Sequence, residues 1–352
     1  MKISSIIDEK EKRVAITPET TSKYLKLGLE VCLPRGYGES SGFSDAEYES
    51  AGAKICSEKV PDASLYLCVK PSDLKNLHLE KGSYLISMLL PFQNAEILKK
   101  MFDNGLNLCA LEKIPRITRA QSMDVLSSQS NIAGYKAVIE AMNEYGRVIP
   151  LMMTAAGTVR PAKVLILGAG VAGLQAIATA KRMGAIVSAF DVRKVAKEQV
   201  ESLGATFVEV DDDDNGESIG GYAKEMSEAY KKKQAEKLAE ALSRSDIVVT
   251  TAQIPGKPAP RLITKEMVEN MPSGAVIVDM AAENGGNCEL TVPNQKISYN
   301  QVMIIGYTDF AARVAHDASQ FFAKNVFNFV SLLWKNNKID TSDEIIQATL
   351  IK

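Results

Sequence analysis

A strand, a glycine-rich turn and a helix in direct succession constrain the fold of this chain more than any other feature. Residues 164–173 read VLILGAGVAG, an apolar run followed by the spacing Gly-x-Gly-x-x-Gly. Gly168 permits a tight turn, Gly170 lacks the side chain that would keep a pyrophosphate away from the backbone, and Gly173 lets the helix pack closely on the strand. The pattern predicts a parallel α/β sheet in which a helix N-terminus binds the phosphates of a dinucleotide.

The end of the next predicted strand indicates which dinucleotide binds. The run 186–190 ends at Asp191, 23 residues after Gly168, where a carboxylate accepts hydrogen bonds from a ribose 2′-hydroxyl. A 2′-phosphate would be repelled there, so we expect NAD(H) rather than NADP(H), with Arg193 as the one opposing charge. Another strand, 247–250, ends at the same edge of the sheet; its loop either lines the cofactor crevice or is an ordinary connection. The cofactor-binding residues expected in this region are Gly168, Gly170, Val171, Ala172, Gly173, Asp191, Val192, Arg193, Thr251, Ala252 and Gln253.

Short apolar runs alternate with helical patterns along most of the chain, which indicates α/β architecture. A length of 352 residues suggests two domains. We expect two Rossmann-like, doubly wound parallel-sheet domains joined by long helices, at about 130–145 and 310–334. The first domain would comprise residues 1–125 completed by 315–352, with a helix beginning at Asn94. The NAD(H)-binding domain would comprise residues 126–314.

Composition argues against several classes of protein. With 41 basic and 43 acidic residues the net charge is -2, so no nucleic acid or anionic membrane is expected as the main partner. No apolar run approaches the roughly 18 residues that span a bilayer, and the charged N-terminus argues against a secretory signal. The five cysteines form no CxxC pair, so neither a zinc site nor a disulfide framework is expected. The chain has only two histidines, His78 and His316, so mechanisms that need several imidazoles are excluded.

Residues 116–127, RITRAQSMDVLS, lie between the body of the first domain and the long helix that is expected to join the domains. They concentrate arginines, a glutamine, an aspartate and hydroxyls. Such donors and acceptors suit a nicotinamide held in one rotamer for hydride transfer. Two alternatives stay open, because Asp124 also fits as the cap of the following helix and Arg116 as a surface ion pair. The polar stretch 211–221 is typical of a solvated connection.

Several longer motifs resemble the NAD(H)-binding component of proton-translocating NAD(P) transhydrogenase. They are 116–127 with its continuation SQSNIAGY (128–135), MMTAAGT (152–158), GGYAKEM (220–226) and IPGKPAP (254–260), within a resemblance that runs from RVAITP (13–18) to the end. The resemblance implies that this component binds NADH, that an NADP(H)-binding subunit receives the hydride, and that a membrane-spanning proton-channel subunit couples transfer to proton translocation. It also implies a homodimer, cytoplasmic and attached peripherally to the inner membrane through its partners.

The same resemblance assigns roles to individual residues. It implies that Arg116, Gln121, Asp124 and Ser127 hold the nicotinamide and its ribose for catalysis. A mobile loop with Gly221, Tyr222 and Met226 would close over NAD(H), and Tyr222 is counted with the catalytic residues. Tyr135 would support the nucleotide from the long helix.

Alanine dehydrogenases are relatives of this family and provide the alternative function. They share the Arg13 motif, and Lys70 resembles the lysine that they use on the substrate carboxylate. Their chemistry needs a general acid/base from a histidine, but the matching stretch 85–91, LISMLLP, contains none. Its loss lowers such a rate by roughly 10²–10⁴, whereas hydride transfer between two rings needs no such group. A non-catalytic NAD(H)-binding regulatory protein is the third alternative and would have no use for residues 116–127.

Overall fold

The computed structural model describes residues 1–57, 62–210, 228–254 and 257–352. The chain divides into two compact units, the first formed by Met1–Gln129 with Ala311–Lys352 and the second by Ser130–Phe310. Within the described ranges, no helix is long and apolar enough to cross a membrane.

Six short strands form the centre of the first unit: β1 (Lys2–Ser4), β2 (Glu30–Pro34), β3 (Lys54–Cys56), β4 (Leu65–Leu67), β5 (Tyr84–Ser87) and β6 (Asn107–Ala110). All neighbouring pairs are parallel, in the order β3-β2-β1-β4-β5-β6. Strand order therefore reverses at β1, which confirms the predicted doubly wound arrangement. The connecting helices are α1 (Pro18–Lys26), α2 (Asp45–Ser50) and α3 (Pro91–Asp103).

The beginning of α3 differs from the sequence prediction. The helix begins at Pro91 rather than Asn94, whose non-helical φ of -114° marks a kink inside the helix. Proline is favoured at a first helical position because its φ is preset and its missing N–H is not needed there. Leu90, just before it, adopts a left-handed φ of 51°. The Glu112 carboxylate accepts the backbone N–H groups of Leu89 and Leu90 and supports this turn, and desolvation by burial raises the pKa of Glu112.

A long helix, α4 (Val125–Glu144), contains the boundary between the two units. It begins earlier than the predicted residue 130, because Asp124 caps it. Next comes an antiparallel hairpin of two strands, β7 (Met152–Thr154) and β8 (Gly157–Val159). All six strand residues of this hairpin are exposed.

Seven strands form the sheet of the second unit: β9 (Lys163–Leu167), β10 (Ile186–Phe190), β11 (Thr206–Phe207), β12 (Ile247–Thr250), β13 (Val276–Asp279), β14 (Lys296–Tyr299) and β15 (Val302–Ile305). Their order is β11-β10-β9-β12-β13-β15-β14. All pairs are parallel except β14 with β15, an edge pair that the sequence did not predict. Strand β14 alternates exposed and half-buried residues and so has no continuous apolar run. The helices are α5 (Val171–Arg182), α6 (Val195–Ser202), α7 (Glu228–Leu242) and α8 (Lys265–Glu269).

The C-terminal segment belongs to the first unit. It contains α9 (Ala315–Leu333), the short pair β16 (Trp334–Lys335) and β17 (Lys338–Ile339), and α10 (Glu344–Thr349). One face of α9 is fully buried in the core of that unit, through Phe322, Val326, Phe329 and Leu333. Because each such side chain contributes about 1.5–3 kcal/mol on burial, α9 is firmly anchored.

A disulfide joins Cys32 on β2 to Cys56 on β3, so the expectation that no cysteines pair was wrong. The two residues are 24 positions apart in the sequence. The parallel register pairs Cys32 with Lys54, so Cys56, two residues further along β3, lies diagonally across with its Cα atom 6.4 Å from that of Cys32. Sequence spacing carries no trace of that register. Cys68, Cys109 and Cys288 are free and buried, and burial raises the pKa of the Cys68 and Cys109 thiols to about 12.

Candidate nucleotide-binding site

The glycine-rich turn of the second unit lies where the strand order reverses, between β9 and β12. Gly168 has a φ of 98°, which a residue with a side chain rarely adopts. A Cβ on Gly173 would lie 1.8 Å from the carbonyl oxygen of Gly168, so no larger residue fits. A Cβ on Gly170, in contrast, would meet no atom of the described residues within 4 Å. The backbone at Gly170 therefore borders open space.

Helix α5 begins directly after this turn, with Gly170 at its N-cap position. Among the residues that the structure describes, no side chain caps its first N–H groups. These groups and the positive end of the helix dipole favour an anion. Val171 is exposed and Ala172 half-buried, so the first turn of α5 is accessible. Open space beside uncapped N–H groups fits the pyrophosphate of a dinucleotide.

Asp191, at the end of β10, contacts both the glycine-rich turn and Arg193. One carboxylate oxygen accepts the backbone N–H of Ala169 at 2.7 Å and the Nη2 of Arg193 at 2.9 Å. The other accepts the backbone N–H and the Nε of Arg193, each at 2.9 Å. The guanidinium thus offsets the charge that would repel a 2′-phosphate. Val192, between them, is half-buried.

The loop after β12 packs against the same turn. The Thr251 hydroxyl donates to the carbonyl oxygen of Gly168 at 2.9 Å, and the Thr251 backbone N–H donates to Leu167 at 2.8 Å. The exposed Gln253 donates from Nε2 to the carbonyl oxygen of Met280 at 3.1 Å. The structure therefore brings together the predicted residues that follow β9, β10 and β12.

Two fully buried polar residues that the sequence analysis missed support this loop. Asn287 accepts the N–H of Ala252 at 3.1 Å and donates to the carbonyl oxygens of Ala252 and Pro260 at 2.9 and 2.8 Å. Asp279, at the end of β13, accepts four hydrogen bonds at 2.6–3.0 Å, from Thr250, Ala281, Cys288 and Thr291. A polar residue at the end of an apolar strand was the available signal for Asp279.

Tyr135 lies on α4 and is 41% exposed. Its neighbour Gly134 packs against the first turn of α5, since a Cβ there would lie 2.1 Å from the carbonyl oxygen of Ala172. Asn131 contacts Gln175 of α5 at 3.3 Å. Tyr135 thus lies in the stretch of α4 that packs against the N-terminal half of α5, and Gly134 is a third position whose role sequence reasoning missed.

The segment 116–127 belongs to the first unit and contains a 3-10 helix, Thr118–Met123. Asp124 accepts the backbone N–H of Ser127 at 2.9 Å and its hydroxyl at 2.6 Å. The capping role that the sequence left open for Asp124 is therefore present, and it pairs two of the predicted residues. Arg116 and Gln121 are exposed, and Asp124 and Ser127 are half-buried.

Three predicted residues, Gly221, Tyr222 and Met226, lie outside the described residues, as does the predicted polar connection 211–221. The histidines lie elsewhere in the first unit: His78 is exposed, and the His316 ring stacks on Phe43 with centroids 4.4 Å apart. Among the described residues, no cluster of histidine, cysteine, aspartate or glutamate could hold a metal ion.

The first unit has a small pocket at its own switch point, between β1 and β4, lined by Arg13 and Lys70 among others. The Arg13 guanidinium donates to the Glu11 carboxylate at 2.8 and 2.7 Å and to the Gln129 side chain at 2.8 Å. Three of its five N–H donors are thereby directed to neighbours in the same unit.

Comparison with protein families identifies both halves of the chain. The model for the alanine dehydrogenase/PNT N-terminal domain matches residues 4–133, and the one for the C-terminal domain matches residues 137–352. The chain belongs to the alanine dehydrogenase/PNT family.

Within the alanine dehydrogenase/PNT family, this chain is more similar to transhydrogenase subunits than to alanine dehydrogenases. It is 48% identical to an NAD(P) transhydrogenase alpha-subunit chain of Rhodospirillum rubrum, over 91% of this chain and 86% of the relative. The crystal structure of a transhydrogenase from Sinorhizobium meliloti superposes with a TM-score of 0.90 at 43% identity, covering 99% of this chain and 98% of that one. An alanine dehydrogenase of Mycolicibacterium smegmatis is 31% identical, over 83% of this chain and 74% of the relative. The transhydrogenase prediction is thus favoured over its alternative.

Proposed function

We propose that this chain is the NAD(H)-binding component of a Re/Si-specific, proton-translocating NAD(P) transhydrogenase. It would pass hydride from NADH to NADP+ on a partner subunit, while a membrane-spanning proton-channel subunit couples that transfer to proton movement. The observation that carries the proposal is the open space at Gly170 beside the uncapped N-terminus of α5, in a chain 48% identical to a transhydrogenase alpha subunit.

The proposed nucleotide-binding domain comprises residues 126–314. Its glycine-rich turn and the N–H groups of Val171 and Ala172 hold the pyrophosphate, and Asp191 contacts the ribose. Arg193 engages Asp191 from the side, so the carboxylate contributes hydrogen-bond acceptors more than net negative charge. Thr251, Ala252 and Gln253 border the site, with Tyr135 beside α5.

The proposed catalytic residues position the nicotinamide rather than transfer protons. Arg116, Gln121, Asp124 and Ser127 offer donors and acceptors for its carboxamide and ribose, and Tyr222, with Gly221 and Met226, completes the site. When bound, the dihydronicotinamide supplies the hydride. Catalysis by position requires reacting atoms to be held about 3–3.5 Å apart in a site that excludes water.

We infer a homodimer that associates with its NADP(H)-binding partner and is attached peripherally, on the cytoplasmic side, to the inner membrane. The exposed hairpin β7–β8 supports a homodimer, because Met153, in the middle of β7, is 75% exposed.

The decisive experiment mixes this chain with a purified NADP(H)-binding component and follows a single turnover from NADH to the thionicotinamide analogue of NADP+. Arg116→Ala and Asp124→Asn should each slow hydride transfer by at least about tenfold while changing NADH affinity little, because these residues orient rather than anchor. Loss of NADH binding with normal single-turnover chemistry would contradict the roles assigned to them.

A parallel assay tests the alternative function. NADH formation from alanine and NAD+ should be absent, because residues 85–91 provide no histidine as a general acid/base. Robust alanine oxidation, or the absence of hydride transfer with any NADP(H)-binding component, would overturn the proposal.

A further inference from the structure

Two asparagines of α9 hold the segment that carries the proposed catalytic residues. The Nδ2 groups of Asn325 and Asn328 donate to the same acceptor, the carbonyl oxygen of Ser122, at 2.8 and 2.9 Å. The residues are three positions apart, so they lie on one face of the helix. Both side chains are half-buried.

Asn325 makes a second hydrogen bond, which has no counterpart at Asn328 among the residues that the structure describes. Its Oδ1 accepts the hydroxyl of Ser128, at 2.7 Å, in the first turn of α4. A single amide therefore binds the segment on both sides of Asp124 and Ser127. Because Asp124 and Ser127 are also bonded to each other, the contacts form one connected set.

The other attachments of this segment lie before Asp124 or consist of apolar packing. Ala120, Met123 and Val125 are buried in the core of the first unit, and apolar packing is non-directional. Arg119 forms a bidentate ion pair with Asp343, at 2.7 and 3.0 Å, and contacts Glu344 at 3.0 Å, which holds the 3-10 helix before Ser122. Asn325 differs in that it binds the segment on both sides of Asp124 and Ser127.

The anchor of the asparagines is rigid. They project from α9 beside the face that places Phe322, Val326 and Phe329 fully inside the core. Hydrogen bonds from a rigid helix set both distance and angle, which is the kind of support that a precisely oriented site needs.

We propose that Asn325 is a positioning residue for hydride transfer, which acts by orienting Asp124 and Ser127 through the Ser122 carbonyl and the Ser128 hydroxyl. The inference rests on the proposed function of residues 116–127. The Asn325 amide is directed to Ser122 and Ser128, so its removal should change the rate of transfer and leave the affinity for NADH unchanged.

The test compares Asn325→Ala with three matched variants in the single-turnover assay with the NADP(H)-binding component. Asn325→Ala should slow hydride transfer about 10- to 100-fold, because small misplacements of catalytic groups have effects of that size. Asn328→Ala should slow it less than about threefold, since Asn325 still binds the same carbonyl.

Asn325→Asp keeps the shape and the acceptor but directs a carboxylate at the Ser122 carbonyl, so it should slow hydride transfer as much as Asn325→Ala does. Lys324→Ala, which removes only an exposed ion pair with Glu19, is the control and should transfer at the normal rate.

The NADH dissociation constant and the melting temperature separate positioning from simple support of the fold. If Asn325 acts by positioning, Asn325→Ala should transfer hydride more slowly with an unchanged NADH dissociation constant. Its melting temperature should be close to that of Asn328→Ala, so that a loss of stability does not account for the slower transfer. If Asn325→Ala and Asn325→Asp transfer hydride normally while Asp124→Asn is slow, the inference about Asn325 is wrong. If Arg116→Ala and Asp124→Asn also transfer normally, the proposed role of residues 116–127 fails instead, and the inference fails with it.

Discussion

Gly170 and Gly173 are three residues apart in one turn, yet a methyl group would meet different surroundings at each. At Gly170 a Cβ meets no atom of the described residues within 4 Å, whereas at Gly173 it lies 1.8 Å from a backbone oxygen. Gly170→Ala should therefore leave the free energy of unfolding nearly unchanged but weaken NADH binding at least about tenfold, or roughly 1.4 kcal/mol. Gly173→Ala should lower the free energy of unfolding by about 1–3 kcal/mol through overpacking.

Urea unfolding and calorimetric titration with NADH measure the two effects separately. Normal NADH affinity in Gly170→Ala would place the pyrophosphate elsewhere on the molecule. Equal stability of the two variants would show that the turn rearranges at no cost, contrary to the close contact at Gly173.

The ion pair between Asp191 and Arg193 makes a prediction about nucleotide choice. Arg193 donates from Nε and Nη2 to the carboxylate, so Arg193→Ala leaves Asp191 with uncompensated charge in a half-buried position. NADPH should then bind several-fold more weakly relative to NADH, since like charges repel most strongly where solvent screening is low. Competition of the two nucleotides for the purified chain gives the ratio. An unchanged or smaller preference for NADH would mean that Asp191 does not face the 2′-position.

At the scale of elements, the disulfide between β2 and β3 makes a prediction about stability. It closes a chain segment of 24 residues, and cross-links of this length stabilise by about 2–4 kcal/mol, mainly by restricting the unfolded chain. Cys56→Ser should lower the free energy of unfolding by that amount in denaturant titrations under oxidising conditions. With a reducing agent present, wild type and variant should become nearly equal; a persistent difference would assign the effect to packing rather than to the bond.

Local signals made most elements of this fold predictable. The capping box at Ser44 and the start of α1 at Thr17-Pro18 each involve residues that are close together in the sequence. The strands β9, β12 and β15 are continuous apolar runs. What the sequence could not indicate depends on register or on distant partners. Cys32 meets Cys56 through strand register, and Asn287 and Asn325 acquire their roles from loops that are distant in the sequence.

The same limit applies to the candidate site. The positions after β9, β10 and β12 were predictable because the ends of parallel strands share one edge of a sheet. The capping bond of Asp124 was foreseen only as an alternative, since a helix cap and a ligand contact use the same residue types. Polar spacing alone does not distinguish them.

At the scale of the whole molecule, the exposed hairpin β7–β8 is the feature that a single copy leaves unexplained. An isolated two-stranded hairpin is marginal in water, yet this one presents Leu151, Met153 and Val159 at 54%, 75% and 44% exposure. The register pairs Met152 with Val159 and Met153 with Thr158, so apolar side chains are exposed on both faces of the hairpin. Exposed apolar surface of this kind favours an interaction site, and in the proposed homodimer the occupant is a second copy. In a two-fold dimer each residue of the interface occurs twice, so one substitution removes two contacts.

Met153→Asp should therefore convert the dimer to monomer at micromolar concentration. Burial of one such side chain contributes about 1.5–3 kcal/mol, so the loss of two contacts raises the dimer dissociation constant by at least about two orders of magnitude. Sedimentation velocity over a range of concentrations measures this shift. Phe102→Asp is the matched control, because Phe102 is an exposed apolar residue of α3, far along the chain from the hairpin. If Met153→Asp still sediments as a dimer, the hairpin is not the dimer contact. If the wild-type chain sediments as a monomer, there is no homodimer. Because the hairpin belongs to neither the glycine-rich turn nor residues 116–127, a monomeric Met153→Asp variant that still binds NADH would also separate assembly from nucleotide binding.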